Sequence, residues 1–327
     1  MTHAPNHDVD MLIVGAGPAG LYAGYYAGFR GLRIAIADML ELPGGQITAL
    51  YPEKKIFDVA GFPEVLGREL VERLVHQVEP FGPLWVLGTR VEGLERVGER
   101  WHVTLSNGES ISTTVVVITG GIGTFEPRPL PVGREYEGRG LIYYVPRPAD
   151  LANKRIVIVG GGDSAFDWAL ALEPIATSVT LVHRRDSFRA HEHTIDLVKS
   201  RSTNIVVNAE VTKITGEENI TSVEITTKSG EVLEVDADIV VAALGFVAHL
   251  GPLAEWGLEM NKRTIVTDSA MHTNLPGVFA AGDITEYPGK VRLIAVGFGE
   301  AALAVNNAMT VIDPTKSAFP GHSSENV

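Results

Sequence analysis

The apolar positions of this chain fall into short runs separated by glycine and polar punctuation. Val9–Val14 is apolar except at Asp10 and ends in Gly15-Ala16-Gly17-Pro18-Ala19-Gly20. A short apolar run that stops at turn residues reads as a buried strand. An Ala- and Tyr-rich helical stretch follows from Pro18 to about Arg30, then a second apolar run, Arg33–Ala37, closed by Asp38. The order is strand, glycine turn, helix, strand.

The same order returns at Arg155. Ile156–Val159 runs into Gly160-Gly161-Gly162-Asp163-Ser164-Ala165, Ala165–Leu172 has a helical pattern, and the strand Ser178–Val182 closes on His183-Arg184-Arg185. Each copy is followed by a hairpin: Arg100–Leu105 with Ser110–Val117 around Asn107-Gly108, and Val223–Thr227 with Val232–Val241 around Ser229-Gly230. Such glycine dipeptides are strong hairpin signals. Each half then reaches an apolar strand ending in glycine, Val115–Thr119 before Gly120-Gly121 and Ile239–Leu244 before Gly245.

A third segment, from Asp268 on, has no fingerprint of its own: it carries Val278–Ala281, Gly282-Asp283 and a helix-like stretch over Gly299–Met309. The expected fold is therefore α/β, with two Rossmann-like three-layer (ββα) dinucleotide-binding domains, the second inserted into the first. Residues 1–121 and 249–327 would form the first and 122–248 the second, with crossings near Gly121–Pro127 and Gly245–Pro252, where Gly and Pro suit hinges.

Composition narrows the chemistry. The 327 residues, 45% hydrophobic and 20% charged, are enough for two ordinary domains. A net charge of -13 argues against nucleic acid and an anionic membrane surface. There is no cysteine, which excludes a dithiol centre, a thiolate nucleophile and a Cys-ligated iron–sulfur cluster. Redox chemistry must then sit on a bound cofactor. Met1–Asp10 lacks a signal-peptide pattern, and no stretch approaches roughly 18 uninterrupted apolar residues, so a cytoplasmic protein is expected.

The two turns differ in the residues downstream of them. In the first, Gly15 makes the tight turn, Gly17 lets backbone approach a pyrophosphate, and Gly20 lets helix and strand pack. The helix N-terminus presents unpaired N–H groups to the phosphates. Asp38 can accept hydrogen bonds from both hydroxyls of an adenosine ribose and would repel a 2′-phosphate, so FAD or NAD(H) is expected there rather than NADP(H). In the second copy that place is taken by His183-Arg184-Arg185, with Arg189 nearby. Guanidinium groups bind phosphate through bidentate, charge-assisted bonds, which favours NADP(H). His191-Glu192-His193 is given no metal role, because alternate residues of a helix face apart and no third ligand is near.

These residues resemble the thioredoxin reductase-like flavoproteins and, within them, the thioredoxin reductase-type ferredoxin–NADP reductases. The marks are both fingerprints, His183-Arg184-Arg185, Gly44-Gly45-Gln46, Tyr51-Pro52, Asp58–Pro63, Gly282-Asp283, Tyr287-Pro288-Gly289-Lys290, Gly297–Ala301 and a tail with Pro320-Gly321-His322-Ser323-Ser324. Thioredoxin reductases carry Cys-x-x-Cys where this chain has Tyr143-Tyr144-Val145-Pro146. The resemblance implies that FAD is held by Gly15, Gly17, Pro18, Ala19, Gly20, Asp38, Gly45, Gln46, Tyr51, Val91, Phe125, Gly282, Asp283, Ser323 and Ser324. Tyr51 would stack on one flavin face, and the tail with His322, or Phe319, would cover the other. NADPH would be held by Gly160, Gly162, Asp163, Ser164, Ala165, His183, Arg184, Arg185 and Arg189. The helix beginning near Gly299 would aim its N-terminus at the flavin N1–C2=O edge, where reduction builds negative charge.

The implied activity is hydride transfer between NADPH and FAD, then single-electron transfer to ferredoxin or flavodoxin, in a homodimer. No side chain is assigned as catalytic, since the flavin carries the chemistry. Two other readings stay open: an NADPH-dependent flavoprotein reductase (diaphorase) of another acceptor such as a quinone, and a non-catalytic nucleotide-binding redox sensor.

Overall fold

In the computed structural model the described residues are 5–121, 124–145, 147–319 and 321, with side chains described at all of these except 124–126 and 247–249. The chain divides into two compact units, Met1–Thr124 with Ala248–Val327, and Phe125–Val247.

The first unit is built on a seven-stranded sheet. Leu84–Val86, Ile34–Ala37, His7–Val14, Ser110–Ile118 and Val278–Ala280 run parallel, in that order. The strands are nearly continuous apolar runs because both faces of the sheet are covered. Met11, Ile13, Ile36, Val115, Val117 and Phe279 pack beneath the helices Pro18–Phe29, Gly67–Val78 and Ile294–Ile312. Leu12, Ala35, Val116, Ile118 and Ala280 face the other way, against Trp101, Val103 and Leu105 of the antiparallel strand Arg100–Leu105 and against Trp256, Leu258 and Ile265. That alternation, with a period of two, produces the three layers.

The second unit repeats the plan. Leu141–Ile142, Ile239–Ala242, Arg155–Val159, Ser178–His183 and Asn204–Val207 form a parallel sheet in that order. The antiparallel strands Ala209–Gly216, Ile220–Thr227 and Val232–Asp236 cover it through Val211, Ile214, Val223 and Ile225.

Two expectations are corrected. Val232–Val241 is not one strand. It breaks after Asp236, and Ile239–Ala242 joins a different sheet. Asp238 makes the break: its carboxylate accepts the Arg155 backbone N–H at 2.8 Å and the guanidinium at 2.7 Å, and its own N–H donates to the Arg155 carbonyl at 2.8 Å. The C-terminal helix starts at Ile294, so Gly299 stands in its second turn and not at its N-terminus. This helix is the one among the described residues with the length and apolarity to cross a membrane. Here it forms part of the core, burying Ala301, Ala304, Val305, Ala308 and the acidic Glu300.

Candidate functional site

Register brings the first unit's marks to one edge. Val14 pairs with Ala37 and Ile118, and Ile118 with Ala280, so Gly15, Asp38, Thr119 and Gly282-Asp283 all follow the carboxyl ends of adjacent parallel strands. Ligands of open α/β sheets bind at that edge. The helix Pro18–Phe29 begins there after Gly17, with no side-chain cap on its N-terminus. A Cβ on Gly17 would meet no protein atom within 4 Å, so the turn opens onto free space. Thr119, which sequence reasoning left without a role, fixes the turn from behind: its hydroxyl donates to the Gly15 carbonyl at 2.8 Å.

Asp38 is held as a preset acceptor. Its two oxygens take the Ala16 N–H at 2.6 Å and the Leu40 N–H at 2.8 Å. Burial pushes its carboxyl above the usual carboxylate range, and those two bonds oppose the shift. A carboxylate oxygen has two lone pairs, so each retains one for a ribose hydroxyl. Val91 opens the strand Val91–Val97 with its side chain in the core.

The Gly44-Gly45-Gln46 loop docks onto the same turn, Gly44 donating its N–H to the Ala16 carbonyl at 2.8 Å. Gln46 opens the helix Gln46–Leu50, and its side chain lies beside Gly121. Tyr51 ends that helix with its phenol pushed up to about 12, first by burial and then by the Asp283 and Asp58 carboxylates. Tyr51 and Asp283, far apart in sequence, thus stand together. Burial raises Asp283 as well, while Lys290 and Arg292 pull it down. The Phe125 side chain, His322, Ser323 and Ser324 lie outside the described residues. Phe319 is described and is exposed.

In the second unit the helix Asp163–Leu172 follows Gly162, again without a side-chain cap and with open space where a Gly162 side chain would point. Gly160, Ser164 and Ala165 belong to this turn and first helical residues. The segment from His183 to His191 is stapled across it. Arg189 donates its N–H to the Gly161 carbonyl at 2.8 Å, and His191 donates its N–H to the Asp163 carboxylate at 2.9 Å. The His183 ring lies over Gly161 and 5.5 Å from the Phe188 ring. Burial holds this imidazole below its ordinary value, and Arg184, Arg185 and Arg189 add to the shift. Those three arginines are exposed at the strand end, a ready receptor for an anion.

Two residues that sequence reasoning named without assigning a role are Lys290 and Glu300. Both are buried beneath Gly282, where they form an ion pair. The available signal was an acidic residue in an otherwise apolar helix.

Comparison with known proteins agrees with this layout. The model of the pyridine nucleotide-disulphide oxidoreductase family matches residues 9–308. A ferredoxin–NADP reductase of Salinispora tropica is 60% identical over 98% of this chain and 99% of its own length. One of Thermus thermophilus is 49% identical over 97% and 96%. Among solved structures, the thioredoxin reductase of T. acidophilum superposes with a TM-score of 0.81 at 26% identity, covering 95% of this chain and 99% of its own. That of Lactococcus lactis gives 0.80 at 28%, covering 93% and 99%. With its fold, both glycine turns and nearly its full length matched in this way, the chain belongs to the pyridine nucleotide-disulphide oxidoreductase family and, within it, to the thioredoxin reductase-like ferredoxin–NADP reductases.

Proposed function

We propose that this protein is an FAD-dependent ferredoxin–NADP(+) reductase, with FAD in the unit formed by the two ends of the chain and NADPH in the inserted unit. The observation that carries the proposal is the pair of glycine turns with opposite chemistry behind them: a bonded carboxylate at Asp38, and the exposed guanidiniums of Arg184, Arg185 and Arg189. The open space before Gly17 and Gly162, each at an uncapped helix N-terminus, fits a pyrophosphate at both. Bound FAD supplies hydride exchange with a nicotinamide and release of single electrons.

The chain's own residues position and tune. Gly15–Gly20 cradle the pyrophosphate, Asp38 orients the ribose and excludes a 2′-phosphate, and Gln46, Tyr51 and Asp283 border the flavin side. The Tyr51 phenol stays neutral at working pH. His322, Ser323 and Ser324 of the tail are assigned to the second flavin face. The arginines select the 2′-phosphate, and the electron acceptor is ferredoxin or flavodoxin. A homodimer is supported by the aromatic face of the helix Pro18–Phe29: Tyr25 lies 6.2 Å from Phe29 and 5.8 Å from Phe81, and Phe29 is 41% exposed. Phe81 is 36% exposed beside it, so the cluster offers apolar surface that a second copy would cover. A cytoplasmic location accords with a chain whose long apolar helix is spent on its own core.

Cytochrome c reduction by NADPH, with and without added ferredoxin, tests the assignment. The rate is expected to depend on ferredoxin. Indifference to ferredoxin together with fast quinone reduction would replace it with the quinone reductase alternative.

A further inference from the structure

The first unit's edge holds a charged pair to which the proposed reaction assigns no task. The Lys290 and Glu300 side chains are 2% and 3% exposed. Glu300 Oε2 accepts the Gly282 N–H at 2.7 Å, and Oε1 accepts both the Lys290 ammonium and the Tyr287 hydroxyl. Lys290 Nζ also donates to the Gly282 carbonyl at 3.0 Å, where the Thr285 hydroxyl donates at 2.8 Å. The two sides of one ion pair therefore grip both backbone groups of one glycine.

Gly282 is the residue that needs gripping. Its φ of +84° lies in the left-handed region that side chains disfavour. A Cβ on it would come 3.2 Å from that of Ala19, and one on Gly297 would come 3.5 Å from the Gly282 α-carbon. Gly282 is thus clamped where the first turn's helix meets the C-terminal helix, and the next residue is Asp283. Three of the sequence marks, Gly282-Asp283, Tyr287–Lys290 and Gly297–Ala301, converge on this point.

Burying two charges carries a desolvation cost that their attraction only roughly offsets, so apolar residues would fill this space as well or better. Apolar residues would leave the Gly282 carbonyl to Thr285 alone, whose hydroxyl and N–H donate to it at 2.8 and 3.1 Å. They would strip the buried Gly282 N–H of the Glu300 carboxylate, and a buried backbone N–H is costly unpaired. They would also remove Lys290, which with Arg292 favours the charged form of Asp283, along with Glu300, which opposes it. We infer that Lys290, Glu300 and Tyr287 form a positioning network that holds the Gly282-Asp283 turn in the geometry and charge balance that bound FAD requires. The inference rests on the assignment of FAD to this unit.

The test compares the parent with Lys290→Met, Glu300→Gln and the double variant, each stripped of flavin and titrated with FAD. FAD affinity is read from flavin fluorescence, the midpoint potential of the bound flavin from dye equilibration, and apoprotein stability from thermal unfolding. The single variants are expected to bind FAD about tenfold more weakly or worse, with a shifted potential. The double variant buries no unpaired charge and is expected to unfold near the parent's temperature in the apo form. It should still bind FAD weakly, because methionine cannot donate to the Gly282 carbonyl. The network is overturned if the parent binds FAD and every variant that folds keeps the parental affinity and potential. It is also overturned if FAD affinity falls only in step with apoprotein stability. A parent that binds no FAD overturns the cofactor assignment itself, and the proposal with it.

Discussion

Two glycines of the first turn, three residues apart, should fail in different ways when given a side chain. At Gly20 a Cβ would stand 1.8 Å from the Gly15 carbonyl oxygen and 2.6 Å from Thr119 Oγ1. Neither can retreat, because the Thr119 hydroxyl bonds that same carbonyl at 2.8 Å. Overpacking of a rigid site costs about 1–3 kcal/mol and occasionally more. With a backbone atom as the obstacle, Gly20→Ala should reach about 3 kcal/mol, a large share of the ~5–15 kcal/mol available to a domain. At Gly17 φ is -69°, which any residue accepts, and no atom lies within 4 Å of a Cβ. Gly17→Val should then cost the apoprotein no more than about 1 kcal/mol, mostly through the weaker helix N-cap. It should nonetheless purify nearly colourless, since the branched side chain enters the space assigned to the pyrophosphate. Urea denaturation of both apoproteins and flavin absorbance per chain read the two effects separately. Full FAD content in Gly17→Val would refute the placement of the pyrophosphate, and parental stability in Gly20→Ala would refute the packing analysis.

Arg184→Ala should raise KM for NADPH and leave NADH kinetics nearly unchanged. The parent should prefer NADPH by about two orders of magnitude in kcat/KM, at ~1.5–3 kcal/mol for each charge-assisted bond, and equal use of both cofactors would contradict this. His183 carries a prediction in pH. Its folded value lies below the ordinary 6.5, so its contribution to stability is full above that value and is lost as pH falls through the folded value. His183→Gln should flatten the acid side of the stability profile, and superimposable profiles would count against the packing of the neutral ring over Gly161. Light scattering should report a dimer, and Phe29→Glu should shift it towards a monomer; a parent that is monomeric and fully active would remove the aromatic face from the account.

The parallel strands were legible because burial on both faces makes them continuous apolar runs, and the glycine turns because their spacing carries its own geometry. The start of the C-terminal helix was not. Gly297 and Gly299 resemble helix breakers, yet both lie inside the helix Ile294–Ile312, Gly297 packed against Gly282 and Ala19. The break at Asp238 also escaped detection, since it depends on Arg155, 83 positions away. Lys290 and Glu300 could be named as marks, but their meeting around Gly282 depends on how the helix folds back onto the sheet edge. His183 read as a phosphate ligand in company with the arginines. Its ring turns out to be engaged with Gly161 and Phe188, a tertiary contact that no spacing rule reports.

The central claim is that this chain, without any thiol, moves electrons from NADPH through a bound flavin to a one-electron carrier. The most direct measurement is anaerobic absorbance of the FAD-loaded protein during addition of NADPH and then of oxidised ferredoxin. The account predicts bleaching of the flavin band by stoichiometric NADPH, little bleaching by equal NADH, and recovery of the band as ferredoxin is reduced. A flavin band that NADPH leaves unchanged, or one that NADPH bleaches and ferredoxin does not restore, would contradict it.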